Sequence, residues 1–323
     1  MSVLPIVHST VDAVALEPEI AARYDLPKRP HVELLAPGMN DVYTVLAGSE
    51  RYAARLWRAG RRTGKDVSYE LDYLDFLLKE GISVIPSIRG KDGSNYFTVD
   101  AVDGPRQVAL FTWAEGEGFN LNPTVKLADQ IGGLMAKLHV VSRRWPRAAE
   151  RPLAVTKRIE NRMPLVMRLA SYREDYQAMF RQIGEALIKR LDGLTDPELM
   201  GATHGDSTPS NFFIKDGEVT MLDFETCGYG FLSHELASFY WSSNKNNVPD
   251  EISANYNAAY DRVRPRSKEE KDLFPLFVCN KVFDYLSGYA YGVNALGPNA
   301  FRYPGLDWMA KSVHQRATEA KLI

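Results

Sequence analysis

The sequence predicts an α+β chain in two lobes, strand-rich over residues 1–112 and mainly helical over residues 113–323. Short apolar runs rich in Val, Tyr and Leu, separated by Gly, Pro and Asp turns, fill the first third. From Val125 onwards apolar residues recur every three or four positions, the period of amphipathic helices. One polar stretch, residues 203–225, interrupts that helical pattern with a hairpin.

In chain order, residues 10–24 read as a helix with Val11, Val14, Leu16 and Ile20 as its apolar positions, stopped by Pro27 and Pro30. Strands follow at 32–35 and 42–46, flanking a turn at 36–41 that contains Gly38 and Asn40. The run 52–57 is the next strand and carries Arg55. A helix through residues 67–78 sets Leu71, Leu74, Leu77 and Leu78 on one face, bears Glu70, and ends at Gly81. Further strands are expected at 82–86, 95–99 and 108–111, the last running into Thr112, Trp113 and Ala114. The helix at 125–143 has the stripe Leu127, Ile131, Leu134, Met135 and Leu138, closed by His139, which reads as a core histidine. One or two helices cover 163–191, and three more cover 249–264, 268–291 and 306–320. Phe283, Tyr285, Tyr289 and Tyr291 lie at helical spacing and read as core more than pocket; Asp284 beside them reads as salt-bridged or solvated.

Composition narrows the function classes. A chain of 323 residues has room for two lobes, and a formal charge of −2 gives no electrostatic reason to expect nucleic acid or an anionic membrane. The two cysteines, Cys227 and Cys279, are too few for a disulfide framework and lack metal-ligand spacing. No apolar run approaches bilayer length, and the first residues lack a basic n-region and apolar h-region, so a cytoplasmic location is expected.

The chemistry concentrates in His204-Gly205-Asp206, Asn211 and Leu222-Asp223-Phe224-Glu225. Between Asn211 and Asp223 two β-rich runs flank an Asp-Gly turn, so a hairpin should bring both residues near Asp206. An amide carbonyl and a carboxylate are hard oxygen ligands of the kind Mg²⁺ prefers. Asp206 is then left to accept a proton. An ordinary acidic hairpin with a hydrogen-bonded Asp at its base shares part of this pattern.

The spacing from Asp206 to Asn211, and the later Asp223-Phe224-Glu225, resemble the H-R-D-x-x-x-x-N and D-F-G motifs of protein kinases. His-Gly-Asp in place of His-Arg-Asp resembles the aminoglycoside phosphotransferase and choline kinase superfamily, which shares the protein-kinase-like fold. The resemblance implies transfer of the γ-phosphoryl of ATP to an alcohol. Asp206 would be the catalytic base, Asn211 and Asp223 the Mg²⁺ ligands, and Glu225 a further contact to a second ion or its water. Arg55 paired with Glu70 would grip the phosphates, the turn bearing Gly38 and Asn40 would cover them, and backbone near Thr112 and Ala114 would meet adenine. Arg in place of the kinase Lys is similar to the branch of bacterial stress-response Ser/Thr kinases, homoserine kinases and hydroxylysine kinases. The superfamily's Asp before Leu-Ala in the following helix is Glu235 here, implying a buttress for the catalytic loop. About ten residues separate Glu225 from that helix, too few for an activation segment. A small-molecule hydroxyl acceptor is therefore expected, ahead of a peptide Ser/Thr or a catalytically silent nucleotide-binding scaffold.

Overall fold

A computed structural model describes residue 6 and residues 9–297 and 305–323. The chain forms two compact units: Met1–Glu117 with Phe213–Glu225, and Gly118–Phe212 with Thr226–Ile323.

In the first unit Asp12 caps α1 (Ala13–Arg23) by accepting from the Val14 amide, and Leu16 and Ile20 bury its inner face. β1 (His31–Ala36), β2 (Asn40–Ala47) and β3 (Glu50–Trp57) form an antiparallel meander. α2 (Gly64–Lys79) then leaves the sheet behind a capping box made by Thr63 and Asp66. β4 (Ser87–Ile88), β5 (Phe97–Ala101) and β6 (Gly104–Thr112) complete the sheet, and β6 pairs with β3, β4 and β5. Arg55 therefore stands mid-strand between Val42 and Ala109. Two expectations change here. Residues 82–86 make one bridge, Val84 to Met221, and the ladder starts only at Ser87, after Pro86, which has no amide to donate. On α2 the buried stripe is Val67, Leu71, Leu74 and Leu77, with Glu70 beside it, whereas Leu78 lies exposed at the rim.

Between the units' sequences lies the two-residue β7 (Glu117–Gly118). The second unit contains α3 (Val125–Ser142), α4 (Val155–Leu169), α5 (Glu174–Asp192) and β8 (Met200–Thr203). The hairpin of β9 (Phe212–Lys215) and β10 (Glu218–Met221) turns through Asp216 and Gly217, both at positive φ as a tight primed turn requires. β11 (Gly228–Phe231) pairs antiparallel with β8. Then follow α6 (Leu232–Lys245), α7 (Asp250–Val263), α8 (Lys268–Asp272), α9 (Phe274–Leu296) and α10 (Leu306–Glu319). The expected helix at 268–291 divides at Leu273 because Pro275 occupies the first turn of α9 and cannot continue a hydrogen-bonded helix from α8. α4 starts well before Met163, since its first two turns bury only Ile159 and give little apolar signal.

Phe180, Ile183 and Leu187 of α5 pack in one core with Phe277, Phe283 and Leu286 of α9. Phe283 and Tyr289 are thus core residues. Among the described residues no helix is long and apolar enough to cross a membrane.

Candidate active site

β8 delivers the chain to His204, and β11 carries it away after Cys227, so a paired strand end frames each side of the loop. Gly205 has φ +87°, and a Cβ there would fall 2.0 Å from the Thr226 carbonyl oxygen. Only glycine fits that position. Glu235, in the first turn of α6 and fully buried, accepts the His204 amide at 2.7 Å and the Gly205 amide at 2.9 Å. Burial would raise this carboxyl, but His139, His204 and the amide donors outweigh it and hold Glu235 below the usual carboxylate range. Glu235 is the buttress of the loop. His139 is a core histidine, its Nδ1 2.6 Å from the Tyr260 hydroxyl.

Within that loop Asp206 keeps its carboxylate about 40% exposed. Lys281 of α9 donates to Asp206 Oδ1 at 2.9 Å. The Asn211 side-chain amide donates to the Asp206 carbonyl at 2.8 Å, which directs its own oxygen away from that bond. The second unit thus brings Asp206, Asn211 and Lys281 together.

The first unit gathers Arg55, Glu70 and Asp223. Arg55 Nη2 donates to Glu70 Oε1, and Nη1 donates to Asp223 Oδ1 at 3.0 Å. Burial alone would weaken the guanidinium's hold on its proton; the carboxylates of Glu70, Asp223 and Glu225 outweigh it and keep Arg55 a cation. Asp223 adopts φ +59°, unusual for a residue with a side chain, and its carboxylate is half-exposed. Glu225 instead is buried against two guanidiniums, with Arg61 Nε at 2.7 Å and Arg62 Nε at 3.3 Å. Burial pushes its carboxyl up, but Arg61 and Arg62 draw it below the ordinary value.

A cavity of about 510 Å³ opens in this unit. Val42, Ala53, Ile85, Phe111 and Met221 supply apolar wall, while Arg55 and Asp223 supply charge. Asn40, Glu70, Thr112, Ala114 and Glu225 also line it. Gly38 does not; its carbonyl accepts from Arg58 Nη2 at 2.7 Å, which fastens the turn between β1 and β2. The Thr112 amide donates to the Pro86 carbonyl at 3.2 Å, so that donor is already engaged.

A family model described as the phosphotransferase enzyme family matches residues 32–269. The chain belongs to this family. An uncharacterised protein of Deinococcus radiodurans is 27% identical over 317 residues, covering 95% of this chain and 92% of the relative. A homoserine kinase of Neisseria meningitidis serogroup B is 25% identical over 293 residues, 86% of this chain and 92% of its own. A solved amicoumacin kinase in complex with AMP-PNP, Ca²⁺ and Ami superimposes with a TM-score of 0.74 at 18% identity, covering 96% and 93% of the two chains. These likenesses establish the bilobal, protein-kinase-like α+β fold of this phosphotransferase.

Sequence reasoning about the phosphotransferase missed three groups at these sites. Lys281 is one, although an Asn280-Lys281 pair set between apolar residues 276–279 and 282–283 is a visible signal. Arg61 and Arg62 are the others, and the cluster with Arg58 after β3 marks them. Asp284, read as salt-bridged or solvated, is salt-bridged, held by Arg162 Nη1 at 3.2 Å and Arg158 Nη1 at 3.4 Å.

Proposed function

We propose that this phosphotransferase moves the γ-phosphoryl group of ATP to the hydroxyl of a small molecule, with Mg²⁺ as metal. The observation that supports it best is the half-exposed Asp206 carboxylate on a loop otherwise fixed by hydrogen bonds, its amides donating to Glu235 and its Asp206 carbonyl accepting from Asn211. Such a carboxylate is preorganised to orient a hydroxyl and take its proton. The hydroxyl oxygen bonds to the γ-phosphorus, the bond to the β,γ-bridging oxygen breaks, and the hydroxyl proton passes to Asp206, leaving ADP and a phosphate monoester.

The residues present fit the cofactors. Apolar walls around Phe111 and Met221 suit a purine, and Arg55, anchored by Glu70, can hold phosphate oxygens. Asp223 would offer Mg²⁺ a carboxylate and Asn211 an amide oxygen, both hard donors. An ion of this kind is ordinarily held by one or two side chains together with substrate phosphates. When bound, Mg²⁺ neutralises charge developing on the phosphates. Glu225 would have to leave Arg61 and Arg62 to reach a second ion, so its role in this reading is to fix those arginines.

Acceptor size follows from what comes after Glu225. A short turn leads directly into β11, which pairs with β8 and runs into α6 at Leu232. No length of chain remains for a platform that would bind a protein substrate. The homoserine kinase relative supports a small hydroxyl-bearing metabolite as the acceptor.

The test compares label transfer from γ-labelled ATP into a small-metabolite extract and into whole-cell protein. Transfer into the metabolite extract, lost in Asp206→Asn while ATP still binds, is expected. Transfer into protein alone would replace this reading with a Ser/Thr kinase, and binding without transfer would leave a silent scaffold.

A further inference from the structure

Asp206 has a strongly cationic neighbourhood, built from α4, α6 and α9 of the second unit. Lys281 is buried, yet among the described residues Asp206 Oδ1 is its one hydrogen-bond partner, so two of its three ammonium protons remain undirected. An ammonium taken out of water normally gathers more partners than that. Lys245, at the end of α6, has no carboxylate partner among the described residues and rests over the Tyr285 ring at 4.4 Å. Tyr285 stands one turn along α9 from Lys281, so Lys245 lies on the helix face that carries Lys281; burial and Lys281 lower its ammonium, and Asp206 raises it. One turn along α9 from Lys281, Asp284 is already spanned by Arg158 and Arg162. Against burial, Arg158, Lys281 and Arg162 hold its carboxyl down to about 2, so it stays ionised.

Lys281, Lys245, Arg158 and Arg162 thus outnumber the carboxylates of Asp206 and Asp284, while Glu235 is taken up by the amides of the catalytic loop. Charges in a partly buried cleft interact far more strongly than in water, so this surplus selects against a cationic acceptor such as an amino sugar. We propose that the hydroxyl compound phosphorylated here also bears a carboxylate, held by Lys281 and Lys245 beside Asp206. Lys281 then bridges the base and the acceptor's carboxylate, and Lys245 gains the counter-charge it lacks. This inference rests on the phosphotransfer reading above and narrows its acceptor to hydroxy acids and hydroxy amino acids.

The experiment fractionates a small-metabolite extract on a strong anion exchanger at about pH 11, where amines are neutral and carboxylates and phosphates stay charged. Each fraction is neutralised and given the full-length protein, Mg²⁺ and γ-labelled ATP. Label is expected to enter the retained fraction and to persist after that fraction is treated with phosphatase and filtered free of it. Transfer only into the unretained fraction overturns the proposal, as does loss after phosphatase treatment. Transfer into no fraction, with ATP binding intact, overturns the phosphotransfer reading itself. With the active fraction, Lys245→Met should raise the apparent KM for acceptor about tenfold while changing kcat less than about threefold, and Lys245→Arg should restore KM. An unchanged KM in Lys245→Met overturns the role of this lysine.

Discussion

One guanidinium holds two carboxylates from distant parts of the chain: Arg55 bonds Glu70 with one terminal nitrogen and Asp223 with the other. Asp223 is the carboxylate proposed to receive Mg²⁺, so a metal must compete with Arg55 for it. In the proposed reaction nucleotide would resolve the competition, since its phosphate oxygens could replace Asp223 on Arg55.

Mg²⁺-dependent stabilisation by ATP should therefore vanish in Asp223→Ala. Ligand that binds only the native state raises its stability by about 2.7 kcal/mol at a hundredfold excess over Kd. A thermal-shift titration with ATP, with and without Mg²⁺, reads this directly. An equal Mg²⁺-dependent rise in the mutant would remove Asp223 from the metal site.

Changing Arg55 should separate stability from affinity. Arg55→Met leaves Glu70 buried without its cation and should cost about 3 kcal/mol in denaturant unfolding. Arg55→Lys keeps the charge but not the planar fork that spans two carboxylates. It should unfold close to the parent and lose roughly tenfold or more in kcat/KM for ATP. Equal unfolding midpoints for all three proteins would show that the pair contributes nothing to folding.

Gly205→Ala should be among the most damaging single-methyl additions in the chain. The added carbon meets backbone oxygen at 2.0 Å, at a φ that disfavours any side chain. A loss of about 3 kcal/mol or more is expected in urea unfolding. Gly133→Ala is the matched control, since a Cβ there meets nothing within 4 Å on a helix. It should be neutral or stabilising by about 0.5–1 kcal/mol.

Acid stability should reflect His234, buried beside Asn280 with its imidazole pushed down to about 4, first by burial and then by Lys281. The unfolded chain binds this proton near the ordinary histidine value of 6.5, the native protein only near 4. Stability contributed by neutral His234 is thus complete above the unfolded value and is lost as pH falls from 6.5 towards 4. The loss amounts to about 3 kcal/mol. Unfolding at pH 7 and at about pH 4.5 should differ less in His234→Gln than in the parent.

How much of this was legible in the sequence depended on whether a signal was local. Asp206, Asn211 and Asp223 stand out because turn chemistry and short spacing fix them, and Gly205 is required by a single backbone angle. Arg55 and Glu70 are legible only through the strand-and-helix pattern that surrounds them. Lys281 and the two arginines holding Glu225 escaped because their partners lie 75 or more positions away in sequence, where periodicity carries no information. The short ladder at Ser87 and the break at Leu273 were missed where one proline outweighed an otherwise continuous apolar pattern.

The first unit is assembled from two stretches of chain separated by ninety-five residues of the other, and its second stretch carries Met221, Asp223 and Phe224. During synthesis the strands from β1 to β6 emerge early, but the cavity wall and the carboxylate that Arg55 holds arrive only once Glu225 has left the ribosome. Until then Glu70 is the carboxylate left to Arg55, beside the Trp57 and Phe111 rings, and the apolar side of the cavity faces solvent or a chaperone. A fragment ending at Glu117 should behave as a sticky, partly ordered sheet, and nucleotide would act as a late folding ligand that rewards completion of the whole chain.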